Sequence, residues 1–179
     1  MTSADQALAQ LASARRRLLA ELEGLDDARF VRRPPGSWSA SDVLEHLARV
    51  EGNVLRGARH ATEKGSKVRP GLLDPLRRLT IRTGLVQWVR VRTVRGADPA
   101  EDPGAVPLPR EQALGRLDHV RQETVAWLVT TRARDLSRVY LRHPFFGAYA
   151  VRDMFGWVAW HEERHRGQVL RIRRALGAS

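Results

Sequence analysis

Four stretches of this chain repeat apolar residues at spacings of three and four, the pattern of helices that bury one face and wet the other. The first covers about residues 4–24, with Leu8, Leu11, Ala12, Leu18, Leu19 and Leu22 on one side and Arg15, Arg16 and Arg17 largely outside. Arg32-Arg-Pro-Pro-Gly-Ser37 then breaks the pattern. The second starts at the N-cap Ser39, with Asp42 as a shortened capping-box partner, and runs to about residue 60. The third, about residues 110–131, opens at Pro109 and turns Leu114, Leu117, Val120, Thr124 and Leu128 inward. The fourth, about residues 150–176, ends at Gly177. Helices with one apolar stripe bury it against one another. The predicted fold is therefore all-α: a four-helix bundle in one domain spanning residues 1–179, with a long basic insert between helices two and three.

Two of the stripes are interrupted by histidine. On helix four the inward positions run Met154, Val158, His161, His165, Val169 and Ile172; on helix two they run Val43, His46, Leu47, Val50 and Val54. Residues four apart on a helix have Cβ atoms about 5–6 Å apart, so His161 and His165 can grip one ion. His46 would supply a third ligand if helices two and four run parallel and bring the rings to one level. A buried polar ring is costly without a partner. Core histidines bonded to carbonyls or carboxylates are the plain alternative, but three on facing stripes favour a metal. Three protein ligands leave coordination positions open, as catalytic sites do.

The motif His161-Glu-Glu-Arg-His165 also satisfies H-E-x-x-H, in which Glu162 would be the general base of a zinc protease. Residues 166–179 contain no His, Glu or Asp for the downstream third ligand, and Gln168 and Arg171 stand where the extended motif needs Gly and His. Glu162 is therefore expected on the flank or surface of its helix. Glu45 and Glu51 point away from His46 by helical angle, and Asp42 serves the cap, so no general base is assigned.

The formal charge is +11, and every basic residue except Lys64 and Lys67 is arginine. Residues 61–97 hold nine basic residues against Glu63 and Asp74. Pro/Gly-rich loops bracket an apolar, basic stretch from Leu72 to Val94, which reads as helix, although residues 85–94 alternate enough to pass for a strand. Residues 61–109 form the long crossover, and within it residues 61–97 are expected to be an appendage that supplies no metal ligand. The appendage lacks regular aromatic interleaving and any DNA-reading motif, which argues against nucleic acid as the partner. A small-molecule substrate is expected instead. The chain has no cysteine, so any thiol in its chemistry comes from outside. It shows neither a transmembrane-length apolar run nor a secretory leader, and a cytoplasmic protein is the expectation.

Three blocks carry a resemblance to a known family: Pro35-Gly-Ser-Trp38 through His46 to Glu51, His143-Pro144-Phe-Phe-Gly147, and His161-Glu-Glu-Arg-His165-Arg-Gly-Gln168. On these residues the chain resembles the DinB-like superfamily, in its YfiT-type branch of metal-dependent enzymes. The resemblance is strong in the ligand blocks and poor across 61–109. It implies a four-helix bundle, often a homodimer, with a divalent metal (zinc, nickel, manganese or iron) on His46, His161 and His165. It also implies transfer chemistry with a low-molecular-weight thiol such as bacillithiol or mycothiol. The family name records induction by DNA damage, which implies a stress setting and does not establish DNA binding. The rival readings are a metal-dependent hydrolase, and a non-catalytic protein using its basic insert on nucleic acid or an anionic surface.

The remaining residues carry lesser roles. Gln168, one turn beyond His165, is placed to bond a ligand or bound water. Arg164 reads as a solvated arginine, with reception of an anionic substrate as its functional alternative. Trp160, like Trp127 and Trp157, reads as a core or pocket-wall aromatic, and Trp38 as a cover on the bundle end. His143 reads as a turn residue rather than a fourth ligand. His60 and His119 are expected to be exposed.

Overall fold

The computed structural model describes residues 3–71, 106–143 and 147–177. Its long helices are α1 (Ser3–Leu22), α3 (Ala40–Lys64), α4 (Arg110–Thr130) and α5 (Val151–Ala175), each within a few residues of the sequence expectation. Two elements were not foreseen. A one-turn helix, α2 (Asp27–Val31), is capped by the Asp26 carboxylate, which accepts from the Arg29 N–H at 2.7 Å. An antiparallel hairpin of β1 (Tyr140–His143) and β2 (Gly147–Ala150) leads directly into α5. The hairpin adds a small sheet to the helical bundle. It lies against α3 at Gly57, where a Cβ would meet the Leu141 side chain at 3.4 Å. The apolar, basic stretch from Leu72 to Val94, and with it its helix-or-strand reading, lies outside the described residues.

The start of α3 is built as its sequence suggests. Ser39 accepts from the Asp42 N–H at 3.1 Å, and the Asp42 carboxylate accepts from the Ser39 N–H at 2.9 Å, so both halves of the capping box are made. Arg33 adds a two-pronged ion pair to the same carboxylate at 2.7 and 2.8 Å. Burial pushes the Asp42 pKa up, but the Arg33 and Ser39 hydrogen bonds outweigh it, and the net shift is downward. The folded pKa is thus below the unfolded one. The stabilisation is present above the ordinary carboxylate range and is lost as pH falls through the lowered value. Asp42→Ala should cost about 2 kcal/mol at pH 7, near the upper end for a capping residue. Urea denaturation of the variant at pH 7 checks this, and a cost below about 0.5 kcal/mol would contradict it.

The core is divided along the bundle. One apolar cluster joins Leu18 and Leu22 of α1, Val43, Leu44 and Leu47 of α3, Leu117 of α4, and Val169 and Ile172 of α5. The other joins Ala7 and Leu11 of α1, Leu55 and Ala58 of α3, Trp127 and Leu128 of α4, and Val151, Phe155 and Val158 of α5. Hence α1 and α5 run in one direction and α3 and α4 in the other. The two histidine-bearing helices do not need to run parallel for their rings to meet: the start of α3 packs beside the end of α5. Parallel α3 and α4 also account for the long connection between them, because a short turn can join only antiparallel neighbours.

Helix faces differ from the sequence reading on α1. Ala7, Leu11, Ala14, Leu18 and Leu22 are buried, whereas Leu19 and Ala12 are exposed. Arg15, expected outside, turns inward, with 11% of its side chain exposed. His60 and His119 are exposed, as expected.

Candidate metal centre

His46 lies on α3, seven residues after the Ser39 cap, and His161 and His165 lie one turn apart on α5. Their ligand-capable ring nitrogens all lie within 4.8 Å of one another. The Nε2 atoms of His46 and His161 are 3.3 Å apart. With metal–nitrogen bonds of about 2.0–2.1 Å, adjacent ligands on a tetrahedral ion are separated by roughly 3.3–3.4 Å. This pair therefore has the spacing a shared first-row ion requires, and the donor set is chemically suited to one. His46 and His165 are buried, and His161 is half-buried.

The rings are oriented by their neighbours. The Nδ1–H of His165 donates to Gln168 Oε1 at 2.8 Å, which leaves Nε2 as the lone-pair nitrogen. Trp38 stacks parallel to His165 at 6.1 Å between ring centroids and tilts against His46 at 5.1 Å. Trp157 stacks on His161 at 4.9 Å. Trp38 also packs against the first core cluster, so it covers the bundle and walls the triad at once.

Burial holds the His161 and His165 imidazoles neutral, the form that binds metal. His161 is held well below its ordinary 6.5, first by burial and then by His165 and His46. His165 is pushed down to about 3, again by burial first, with the Gln168 hydrogen bond opposing. Arg164 is half-buried, its charge acts on both rings, and burial lowers its own pKa. It is therefore not the fully solvated arginine of the sequence expectation. Trp160 is half-buried.

Two residues were read too blandly. His143 closes β1, is buried, and meets the Trp157 ring edge-on at 4.6 Å. It is absent from the converging set of ligand atoms among the described residues. Burial lowers its pKa from 6.5 to about 4. The unfolded chain takes up this proton near pH 6.5 and the folded chain only near 4. Stability is thus full above 6.5 and falls as pH drops through that window. Relative to His143→Gln, the native protein should lose about 2 kcal/mol between pH 6.5 and 5, from about 1.4 kcal/mol per pH unit. Denaturation midpoints of both proteins across this range provide the check; parallel curves would refute it.

Glu162 is the second. Instead of lying on the flank of α5 it is 1% exposed, turned away from the histidines and locked to arginine. Arg121 Nη2 donates to Glu162 Oε2 at 2.8 Å, and Arg15 Nε donates to Glu162 Oε1 at 2.6 Å. Arg121 also holds Glu51 with two hydrogen bonds, at 2.8 and 3.0 Å. Burial pulls the Arg121 pKa down, but its bonds and charge attraction to Glu51 and Glu162 outweigh this and raise it. A carboxylate so committed is not poised as a protease base. Glu45 is likewise tied to Arg49 and Arg116. The inward spacing of Leu47, Glu51 and Leu55, and of Leu117, Arg121, Thr124 and Leu128, was a signal for this network.

A helical bundle in which two antiparallel helices bring three imidazoles together defines a class of protein able to hold a metal ion in its core. The chain belongs to the DinB superfamily, whose family model matches residues 10–169. It is 24% identical over 157 residues to the uncharacterized protein YuaE of Bacillus subtilis (strain 168), covering 87% of this chain and 90% of that one. Its fold is similar to that of YfiT from Bacillus subtilis, with a TM-score of 0.61 at 19% identity over 98% of this chain and 89% of the other. YfiT is described as a probable metal-dependent hydrolase with an unusual four-helix bundle topology. TT2238, a four-helix bundle protein, aligns with a TM-score of 0.57 at 24% identity over 93% of this chain and 96% of that one. At these identities the two solved structures establish the fold alone. Among the described residues no helix is long and apolar enough to cross a membrane.

Proposed function

We propose that the protein is a divalent-metal-dependent enzyme whose centre is His46, His161 and His165, and that it transfers a low-molecular-weight thiol to a small electrophilic substrate. The convergence of three ring nitrogens within 4.8 Å is the observation that carries this reading. A divalent ion bound there supplies Lewis acidity and lowers the pKa of an external thiol into the neutral range.

The residues of the chain supply the rest. Gln168 fixes the His165 tautomer through its 2.8 Å bond. Trp38 and Trp157 limit water around the rings and hold their planes. Arg164 places a positive charge near the triad, suited to an anionic substrate. The nucleophile comes from outside because the chain has no cysteine. A second reading, with water as the nucleophile and the protein as a hydrolase, is favoured by the description of the structurally similar YfiT.

The test begins with elemental analysis of protein purified without a histidine tag. Chloro- and bromo-alkyl probes are then offered with bacillithiol, mycothiol and glutathione, with and without metal. Metal-dependent conjugation, reduced modestly by Gln168→Ala, is the expected result. Cleavage of ester or amide probes without conjugation would replace the transferase by a hydrolase. No turnover by fully loaded protein would move the reading to a binding protein.

A further inference from the structure

A layer of charge crosses the bundle between its two apolar clusters. Each long helix contributes one residue to it. Arg15 on α1 lies between Leu11 and Leu18, Glu51 on α3 between Leu47 and Leu55, Arg121 on α4 between Leu117 and Leu128, and Glu162 on α5 between Val158 and Val169. Glu51 and Glu162 are 2% and 1% exposed, and Arg121 is 8% exposed. Two positive and two negative groups leave the layer neutral.

The bonding is specific in direction. Arg121 Nε and Nη2 clamp Glu51, Nη2 also donates to Glu162, and Nη1 donates to the Leu11 carbonyl of α1 at 2.8 Å. One planar guanidinium thereby touches the other three long helices. Arg15 donates to Glu162, reaches the Leu117 carbonyl of α4 at 3.4 Å, and lies 3.8 Å from Glu51. Apolar side chains would fill such a layer with equal or better stability, since burying paired charges repays little. What they would not do is fix register, because apolar contacts tolerate sliding that bidentate hydrogen bonds do not.

The layer adjoins the triad. Glu162 follows His161 in sequence and lies on another face of the same turn of α5, and Glu51 lies five residues beyond His46 on α3. The two helices that carry the histidines are thus pinned to one guanidinium beside the rings. A slide of α3 against α5 would open the 3.3 Å approach of His46 to His161. We propose that Arg15, Glu51, Arg121 and Glu162 form a positioning layer that holds α3 and α5 in the register at which His46 meets His161 and His165. For its metal readout this rests on the proposed centre.

The test replaces the whole layer with apolar residues of similar size: Arg15→Met, Glu51→Leu, Arg121→Met and Glu162→Leu together. The zinc dissociation constant is measured by chelator competition, and the cobalt(II) visible spectrum reports ligand geometry. In metal-free protein, nuclear Overhauser contacts between the His46 and His161 ring protons report their approach. A folded variant should bind zinc at least about tenfold more weakly, the scale of an orienting group's loss. Its cobalt spectrum should change and its ring contact weaken. Wild-type affinity, spectrum and ring contact in the folded variant would overturn the proposal. If the quadruple variant does not fold, Arg121→Lys decides. Lysine keeps the charge but has only three donors on one nitrogen and cannot reproduce the four bonds that include the two-pronged clamp on Glu51, so zinc affinity should fall several-fold, and an unchanged affinity would overturn the proposal. If the native protein binds neither metal, the proposed centre fails, and the ring contact compared between native and variant proteins still decides the register.

Discussion

His161→Ala should lose divalent metal while keeping its helices. Outer groups that merely orient a ligand change affinity by about 10–100-fold, so removing a ligand itself should weaken binding by more than about 100-fold. The remaining pair, His46 and His165, would hold an ion through two nitrogens on different helices, with no chelating pair on α5. The structural consequence should be small. His161 is only half-buried, and its neutral ring is there against a desolvation penalty that alanine does not carry. His165→Ala should behave alike in metal binding, with a larger stability loss because it also removes the stack on Trp38 and the bond to Gln168. Metal-to-protein ratio after dialysis and far-ultraviolet circular dichroism are the measurements. Native metal content in either variant would end the three-histidine reading.

Arg121→Met by itself should destabilise the protein by about 3–5 kcal/mol at pH 7, the cost of breaking a buried ion pair from one side. Four hydrogen bonds vanish, and Glu51 is left with Arg15 only at 3.8 Å. Glu162 keeps its Arg15 bond at 2.6 Å, which limits the loss on that side. The quadruple apolar replacement should be more stable than this single variant, because it strands no charge. Guanidinium denaturation of the three proteins under one buffer gives the comparison. A single-variant loss below about 1 kcal/mol would show that water or another group solvates the carboxylates in its place.

The helices were legible because their signal is local. Period 3.6, Ser39 with Asp42, Pro109 and Gly177 mark ends and faces that neighbours along the chain define. The metal-centre candidates were legible for a related reason. A histidine at a position where its helix needs an apolar residue contradicts the pattern, and two such residues four apart must meet on any helix. The hairpin was not legible. Its strands are four residues each, too short for alternation to stand out, and its place is set by a contact of Leu141 with α3 at Gly57, far away in sequence.

Charged stripe positions were the systematic blind spot. Arg15, Glu51, Arg121 and Glu162 each occupy an inward phase, yet a lone charge is assigned to solvent because burying it unpaired is costly. Each becomes tolerable inside only beside the other three, which lie up to 147 residues away in sequence. Periodicity, capping and the choice of histidine at stripe positions were thus written into the chain itself, since each depends on residues within one helix. The antiparallel pairing of α3 with α5, the tryptophan walls on the rings and the neutral charge layer were decided by tertiary structure. These depend on which helix faces which, and burial energy along a single helix is indifferent to its neighbour's direction.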